Sequence, residues 1–121
     1  MEKVLIIDDD KNIREIAKIS LEDDFVVFVA ASCDEGMKVA SAERPDIILL
    51  DRMMPGIDGL GTLARLREDE TTKSIPVVFL TAKVQSQEMS EYEGLDISGV
   101  LGKPFDPISF PDEIRRILGK H

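Results

Sequence analysis

The chain has 121 residues, with 15 Lys+Arg against 24 Asp+Glu, a formal net charge of -9 and a sequence pI near 4.6. Domains of ~100–150 residues are the commonest size, so residues 1–121 are expected to form one domain whose core needs no disulfide staples. The acidic balance disfavours nucleic acid and anionic membrane as main partners, since both require basic patches, and favours a divalent cation or a basic protein surface.

The chain opens on an apolar run, Val4 to Ile7, that ends in Asp8-Asp9-Asp10. Asn12 to Glu22 follows as a candidate helix, with Ile13, Ile16, Ala17 and Leu21 at helical spacing. The second run, Phe25 to Ala31, is the longest and still far short of the ~20 residues a membrane span needs. Ser32 with Glu35 has the pattern of a capping box and predicts a helix through about Glu43, stopped by Pro45. The third run, Ile47 to Leu50, ends in Asp51; Asp58-Gly59 then opens a helix carrying Leu60, Leu63 and Ala64 to about Asp69. The fourth run, Val77 to Leu80, ends in Thr81, and Gln85 to Glu93 reads as a weak, polar fourth helix ended by Gly94. Val100-Leu101, flanked by glycines, leads to Lys103. The last helix, Ser109 to Leu118, has Pro111 in its first turn and Ile114, Ile117 and Leu118 as anchors.

The runs are short, rich in β-branched residues and do not alternate with polar ones, as parallel strands buried on both faces do. Five strands alternating with five helices predict an α/β doubly wound, five-stranded parallel sheet with helices on both faces. Cys33 is alone, which removes an internal disulfide and a cysteine zinc site and leaves a buried structural thiol. The single His121 removes a histidine-pair metal site and any Ser-His or Cys-His triad. Asp8 interrupts the apolar opening, so no signal peptide is read and a soluble cytoplasmic domain is expected.

Chemistry gathers where the strands end. Crossovers in a parallel sheet bring all strand C-termini to one edge, the edge on which ligands bind in this architecture. Asp8, Asp9, Asp51, Thr81 and Lys103 therefore converge on one rim, whereas Asp10 reads as a helix cap or a solvated residue. Clustered carboxylates raise one another's pKa and require a cation. With no histidine or cysteine beside them they suit a hard ion, above all Mg²⁺, which is commonly held by one or two carboxylates and a phosphate. Each of these residues singly is ordinary, an Asp after a strand being often a cap. Their conjunction on one rim points to a site that receives a phosphoryl group.

The strings Leu5-Ile6-Ile7-Asp8-Asp9-Asp10, Asp51-Arg52-Met53-Met54-Pro55-Gly56-Ile57-Asp58-Gly59, Leu80-Thr81-Ala82 and Lys103-Pro104-Phe105 resemble the receiver domain of bacterial two-component response regulators, in order and over essentially the whole chain. The resemblance implies a flavodoxin-like strand order 2-1-3-4-5. It implies that Asp51 accepts a phosphoryl group from a phosphohistidine on a histidine kinase or histidine phosphotransfer protein. Asp9 would ligate Mg²⁺ directly, Asp8 largely through water, and Asp51 and the backbone carbonyl of Met53 would complete the protein's share. Thr81 would bind one phosphoryl oxygen and Lys103 another, Ala82 would leave access to the acceptor, and the Lys103-Pro104 bond would be cis. The output would be an effector protein bound through the fourth and fifth helices and the fifth strand, with no direct nucleic acid and no membrane. The chain is then a switch that promotes only its own phosphorylation and dephosphorylation, as a stand-alone receiver or a domain cut at its boundary.

Three further features carry expectations of their own. Val100 stands where relatives often have an aromatic residue that moves with Thr81, so the signal is expected to travel through the Thr81 to Gly94 segment instead. Met53 and Lys83, each two residues beyond a site residue, flank the path of a hydrolytic water, and an apolar Met53 predicts slow loss of the phosphoryl group. Opposite charges on the fourth helix (Glu88, Glu91, Glu93) and the last (Arg115, Arg116) could pair across a two-fold axis, giving a monomer or weak dimer. Two alternatives compete: an Mg²⁺-dependent aspartyl-nucleophile phosphohydrolase, for which the residues after Asp8-Asp9-Asp10 do not fit, and a receiver-like module that binds without phosphorylation.

Overall fold

The structure is a computed structural model describing residues 1–82 and 90–119. Five strands, β1 (Lys3–Ile7), β2 (Val26–Ala30), β3 (Ile47–Asp51), β4 (Val77–Thr81) and β5 (Gly99–Gly102), pair in parallel in the order β2-β1-β3-β4-β5. Four α-helices lie among the described residues: α1 (Lys11–Leu21), α2 (Cys33–Glu43), α3 (Gly59–Glu68) and α4 (Phe110–Ile117). Five were expected. The difference is the stretch Gln85 to Glu93, most of which lies outside the described residues and whose described end, Ser90–Tyr92, is a turn of 3₁₀-helix.

Burial follows the apolar runs. Val4 to Ile7, Ile47 to Leu50 and Val77 to Leu80 are wholly buried, which is why these strands show no polar alternation. Their period of two divides the core instead between the two faces of the sheet. Leu5, Ile7, Ile48, Leu50, Val77 and Phe79 pack with Ala40 of α2 and with Leu63 and Leu66 of α3. Val4, Ile6, Ile47, Leu49, Val78 and Leu80 pack on the other face with Ala17 and Leu21 of α1 and with Phe110 and Ile114 of α4. Each such side chain, fully buried, contributes about 1.5–3 kcal/mol of transfer free energy.

The helices begin where the sequence provides caps. The carboxylate of Asp10 accepts from the amides of Asn12 and Ile13, Ser32 Oγ from Glu35, and Asp58 from Gly61. These caps set the lengths of the loops that carry the strand-end residues. The helix α2 stops one residue earlier than its proline: Arg44 takes the left-handed conformation, φ 48°, and its amide closes on Ala40 O. Cys33 is buried in the first turn of α2, as a structural thiol.

One long-range clamp steadies the far side. Arg67 donates to the carbonyls of Lys73, Ile75 and Asp96 and pairs with the Asp96 carboxylate at 3.1 Å, tying α3 to the segments that enter β4 and β5. No described helix is long and apolar enough to cross a membrane.

Candidate functional site

The strand register sets the site. Asp51 is opposite Leu80 in the β3–β4 ladder and Thr81 is opposite Gly102 in β4–β5, so acceptor, hydroxyl and lysine end their strands at one level. The lysine amide bonds Thr81 O at 2.8 Å, and the Lys103-Pro104 bond that follows is cis. On the other side β1 ends at Ile7, so Asp8 and Asp9 are already beyond the strand. The alternation that would send neighbours to opposite faces no longer applies to them. Asp8 is fully buried and Asp9 exposed, yet one oxygen from each and one from Asp51 lie within 4.8 Å of one another. Asp10 is the cap of α1.

These residues open on a cavity of about 280 Å³ lined by Asp8, Asp9, Asp10, Asp51, Met53, Thr81, Ala82 and Lys103. Ala82 is exposed at its mouth. The Lys103 ammonium lies 2.6 Å from Asp8 Oδ2 and 3.0 Å from Asp51 Oδ1. The amide of Met53 also donates to Asp51 Oδ1, at 3.2 Å, so these two contacts fall on one oxygen.

Electrostatics set the protonation behaviour. Burial of Asp51 pushes its carboxyl from 3.8 up to about 6, and the Asp8 charge adds to that, against the opposing pull of Lys103 and the Met53 amide. Burial also penalises the Lys103 ammonium, but its contacts with Asp8 and Asp51 outweigh the penalty and hold its pKa above the ordinary value. One lysine thus neutralises part of a three-carboxylate cluster and leaves negative charge over. Asp8 Oδ1 accepts from the Asp10 amide at 2.9 Å, whereas the buried Oδ2, for all its closeness to Lys103, makes no well-aligned hydrogen bond. An all-oxygen donor set with an under-satisfied buried carboxylate fits a hard divalent cation.

Arg14 and Arg52 were given no role from sequence, and Gly59 only that of a helix start. Arg14 Nη1 donates to the Asp8 carbonyl at 2.8 Å and holds the β1–α1 turn. Gly59 lets α3 start against the acceptor: a Cβ there would lie 2.5 Å from Asp51 O and 2.8 Å from Arg52 Cα. Arg52 lies between Asp58 and Glu91, each at 3.4 Å. Only its place directly after Asp51 could have drawn attention to it. Val100 is partly buried against the cluster that holds Phe79 and Tyr92, whose rings are 5.3 Å apart. The charges expected to pair between two copies have partners within the chain: Glu91 with Arg52, and Arg115 with Asp24 and Asp112. Lys83 and Glu88 lie outside the described residues.

The family model of the response regulator receiver domain matches residues 4–115. The chain is 35% identical over 119 residues to "Response regulator Rre1" of Synechocystis, covering 97% of this chain and 52% of that protein. It is 34% identical over 118 residues to "Phosphate regulon transcriptional regulatory protein PhoB" of Pseudomonas aeruginosa, covering 95% and 51%. With "DNA-binding dual master transcriptional regulator RpaA" of Synechocystis it shares 38% over 119 residues, covering 98% and 49%. It therefore spans about half the length of these curated relatives. Among solved structures, chemotaxis protein CheY4 of Vibrio cholerae superposes with a TM-score of 0.88 at 30% identity, covering 97% of this chain and 98% of that one. A match over nearly the whole chain, in sequence and in fold alike, leaves no part of it to another family: the chain belongs to the response regulator receiver domains.

Proposed function

We propose that residues 1–121 act as a single receiver domain in which Asp51 is the phosphoacceptor and Mg²⁺ the cofactor. The observation that carries this reading is the meeting of three carboxylates and one ammonium at the Asp51 cavity. Asp51 Oδ1 is fixed by Met53 N and Lys103 Nζ, and one oxygen each of Asp8, Asp9 and Asp51 lie within 4.8 Å of one another. In the reaction an Asp51 oxygen attacks the phosphorus of a phosphohistidine on a histidine kinase or phosphotransfer protein. The new P–O bond forms as the P–N bond breaks, and the electron pair leaves on the imidazole nitrogen, which takes a proton.

Asp8, Asp9, Asp51 and the Met53 carbonyl are the groups that would hold the cation, whose chemistry is to neutralise charge gathering on the phosphoryl oxygens. Lys103 supplies a fixed ammonium for the same purpose. Thr81 offers a hydroxyl at the same level, and Ala82 leaves the mouth of the cavity open to the donor's imidazole. None of this turns over an external substrate: the chain catalyses only its own loading and unloading. The modified domain then binds an effector protein through the segment before β5, β5 itself and α4. A protein partner rather than nucleic acid suits the chain's own charge of -9, and the reading places it in the cytoplasm as a monomer or weak dimer.

The test is intact mass after incubation with acetyl phosphate, with and without Mg²⁺, for wild type and Asp51→Ala. A gain of one phosphoryl mass that requires both Mg²⁺ and Asp51 supports the reading. Uptake that survives Asp51→Ala, or turnover of a generic phosphate ester, overturns it.

A further inference from the structure

Arg52 is half-buried beside the acceptor and has no part in the chemistry just described. Its side chain is only 15% exposed, yet it reaches two carboxylates, Nη1 lying 3.4 Å from Asp58 Oδ2 and Nη2 3.4 Å from Glu91 Oε2. Nη1 is also 3.6 Å from Met53 Sδ, and Met53 lines the Asp51 cavity. The carbonyl of the same residue accepts from Gly59 N at 3.1 Å. One residue therefore joins the loop that carries Met53, the start of α3 and the Ser90–Tyr92 turn, 39 positions further along the chain. That turn has a second anchor, the buried Tyr92 ring packed on Phe79.

The guanidinium is incompletely satisfied. Its Nε is buried without a hydrogen-bond partner among the described residues, and both carboxylate contacts are long. A largely desolvated cation so held balances the loss of water against several weak attractions, and a change of nearby charge moves that balance. Met53, which Arg52 touches, also lines the cavity of the Asp8, Asp9 and Asp51 cluster, whose charge a single lysine neutralises only in part. While the cluster stays negative it competes with Glu91 for the guanidinium. Once a divalent cation neutralises it, Glu91 and Asp58 remain as the partners of Arg52.

We propose that Arg52 is a positioning residue that fastens the acceptor loop to the Ser90–Tyr92 turn, so that cation binding at Asp51 and the order of that turn are thermodynamically linked. The proposal rests on the reading of the Asp51 cluster as a metal-dependent acceptor. Linkage is reciprocal, so cation binding protects the turn and the Arg52–Glu91 pair in return raises cation affinity by the same factor.

The experiment is a double-mutant cycle on Mg²⁺ affinity, measured by nuclear magnetic resonance titration on wild type, Glu91→Gln, Arg52→Gln and the double variant. Glu93→Gln serves as control, since it removes the same charge two residues away from an exposed position. Glu91→Gln is expected to weaken Mg²⁺ binding roughly threefold to tenfold, the lower range of allosteric couplings, and Glu93→Gln by much less. In the Arg52→Gln background Glu91→Gln is expected to have no further effect. In wild type, Mg²⁺ is expected to slow amide exchange at Glu91 and Tyr92, and in Arg52→Gln it is expected not to. Equal effects of Glu91→Gln and Glu93→Gln, or an undiminished Glu91 effect without Arg52, overturn the proposal. Failure of the acceptor reading is separate, because it registers as an absence of phosphoryl uptake by the wild type whatever the outcome of the cycle.

Discussion

Removing the acceptor's charge should stabilise the cation-free protein. Asp51 is buried beside Asp8, and its carboxyl is held at about 6 against an ordinary 3.8. The folded state therefore binds this proton more tightly than the unfolded state does. As pH rises through the interval from about 4 to about 6, the unfolded chain has already released the proton and the folded chain must follow, so stability falls across that window. The gap is worth about 3 kcal/mol if it is wholly expressed, and less to the extent that Lys103 keeps its contact with Asp51. Asp51→Asn removes the charge and leaves Lys103 with Asp8, at 2.6 Å. In urea unfolding near pH 7.5 with chelator, the variant should be more stable by about 1–3 kcal/mol. Its advantage should shrink as the pH is lowered through about 6 toward 4, where wild-type Asp51 becomes neutral as well. Mg²⁺ should reverse the order, since it stabilises the wild type by binding only the folded state and has lost a ligand in the variant. A variant less stable than wild type at neutral pH without the cation, or an advantage constant between about pH 5 and 7, would refute this account of the cluster.

Three further outcomes follow from the geometry. Gly59→Ala places a Cβ 2.5 Å from Asp51 O, so it should cost about 1–3 kcal/mol in urea unfolding and slow acetyl phosphate uptake; uptake at the wild-type rate would show that α3 can retreat freely. Arg67→Ala strips a donor from the carbonyls of Lys73, Ile75 and Asp96 and should cost about 2–4 kcal/mol, with uptake by the remaining folded protein unchanged. Met53 is exposed at the cavity and offers an attacking water only a thioether, so Met53→Asn should speed loss of the phosphoryl group as followed by intact mass; an unchanged decay would assign control of that water elsewhere.

What the sequence made legible was local or periodic. The strands declared themselves because β1, β3 and β4 are covered on both faces and are apolar throughout. The rim followed because the right-handed crossovers of a doubly wound sheet leave no other place for residues that end strands. Helix starts were readable to within a residue, since Asp10, Ser32 and Asp58 are caps by chemistry. The end of α2 at Glu43 was readable as well, from Pro45, although the left-handed Arg44 that closes the helix has no sequence signal. Long-range pairing was invisible: nothing local announces that Arg52 reaches Glu91, that Arg67 gathers carbonyls from two incoming segments, or that Arg115 turns to Asp24. The charge of Asp51 could be read from its letter, but its elevated pKa could not, because that depends on burial and on which oxygen Lys103 meets.

The packing of Tyr92 on Phe79 has an optical consequence. The protein has one tyrosine and no tryptophan, so at wavelengths beyond the absorption of its five phenylalanines its intrinsic signal comes from a single side chain. That side chain lies in the turn next to Glu91, 5.3 Å from the Phe79 ring and largely shielded from solvent. Absorbance and fluorescence, which in most domains average over many sites, here describe one location in the segment before β5. Any reagent that loads the acceptor and also loosens or tightens that segment writes its effect directly into the tyrosine signal, with no label attached.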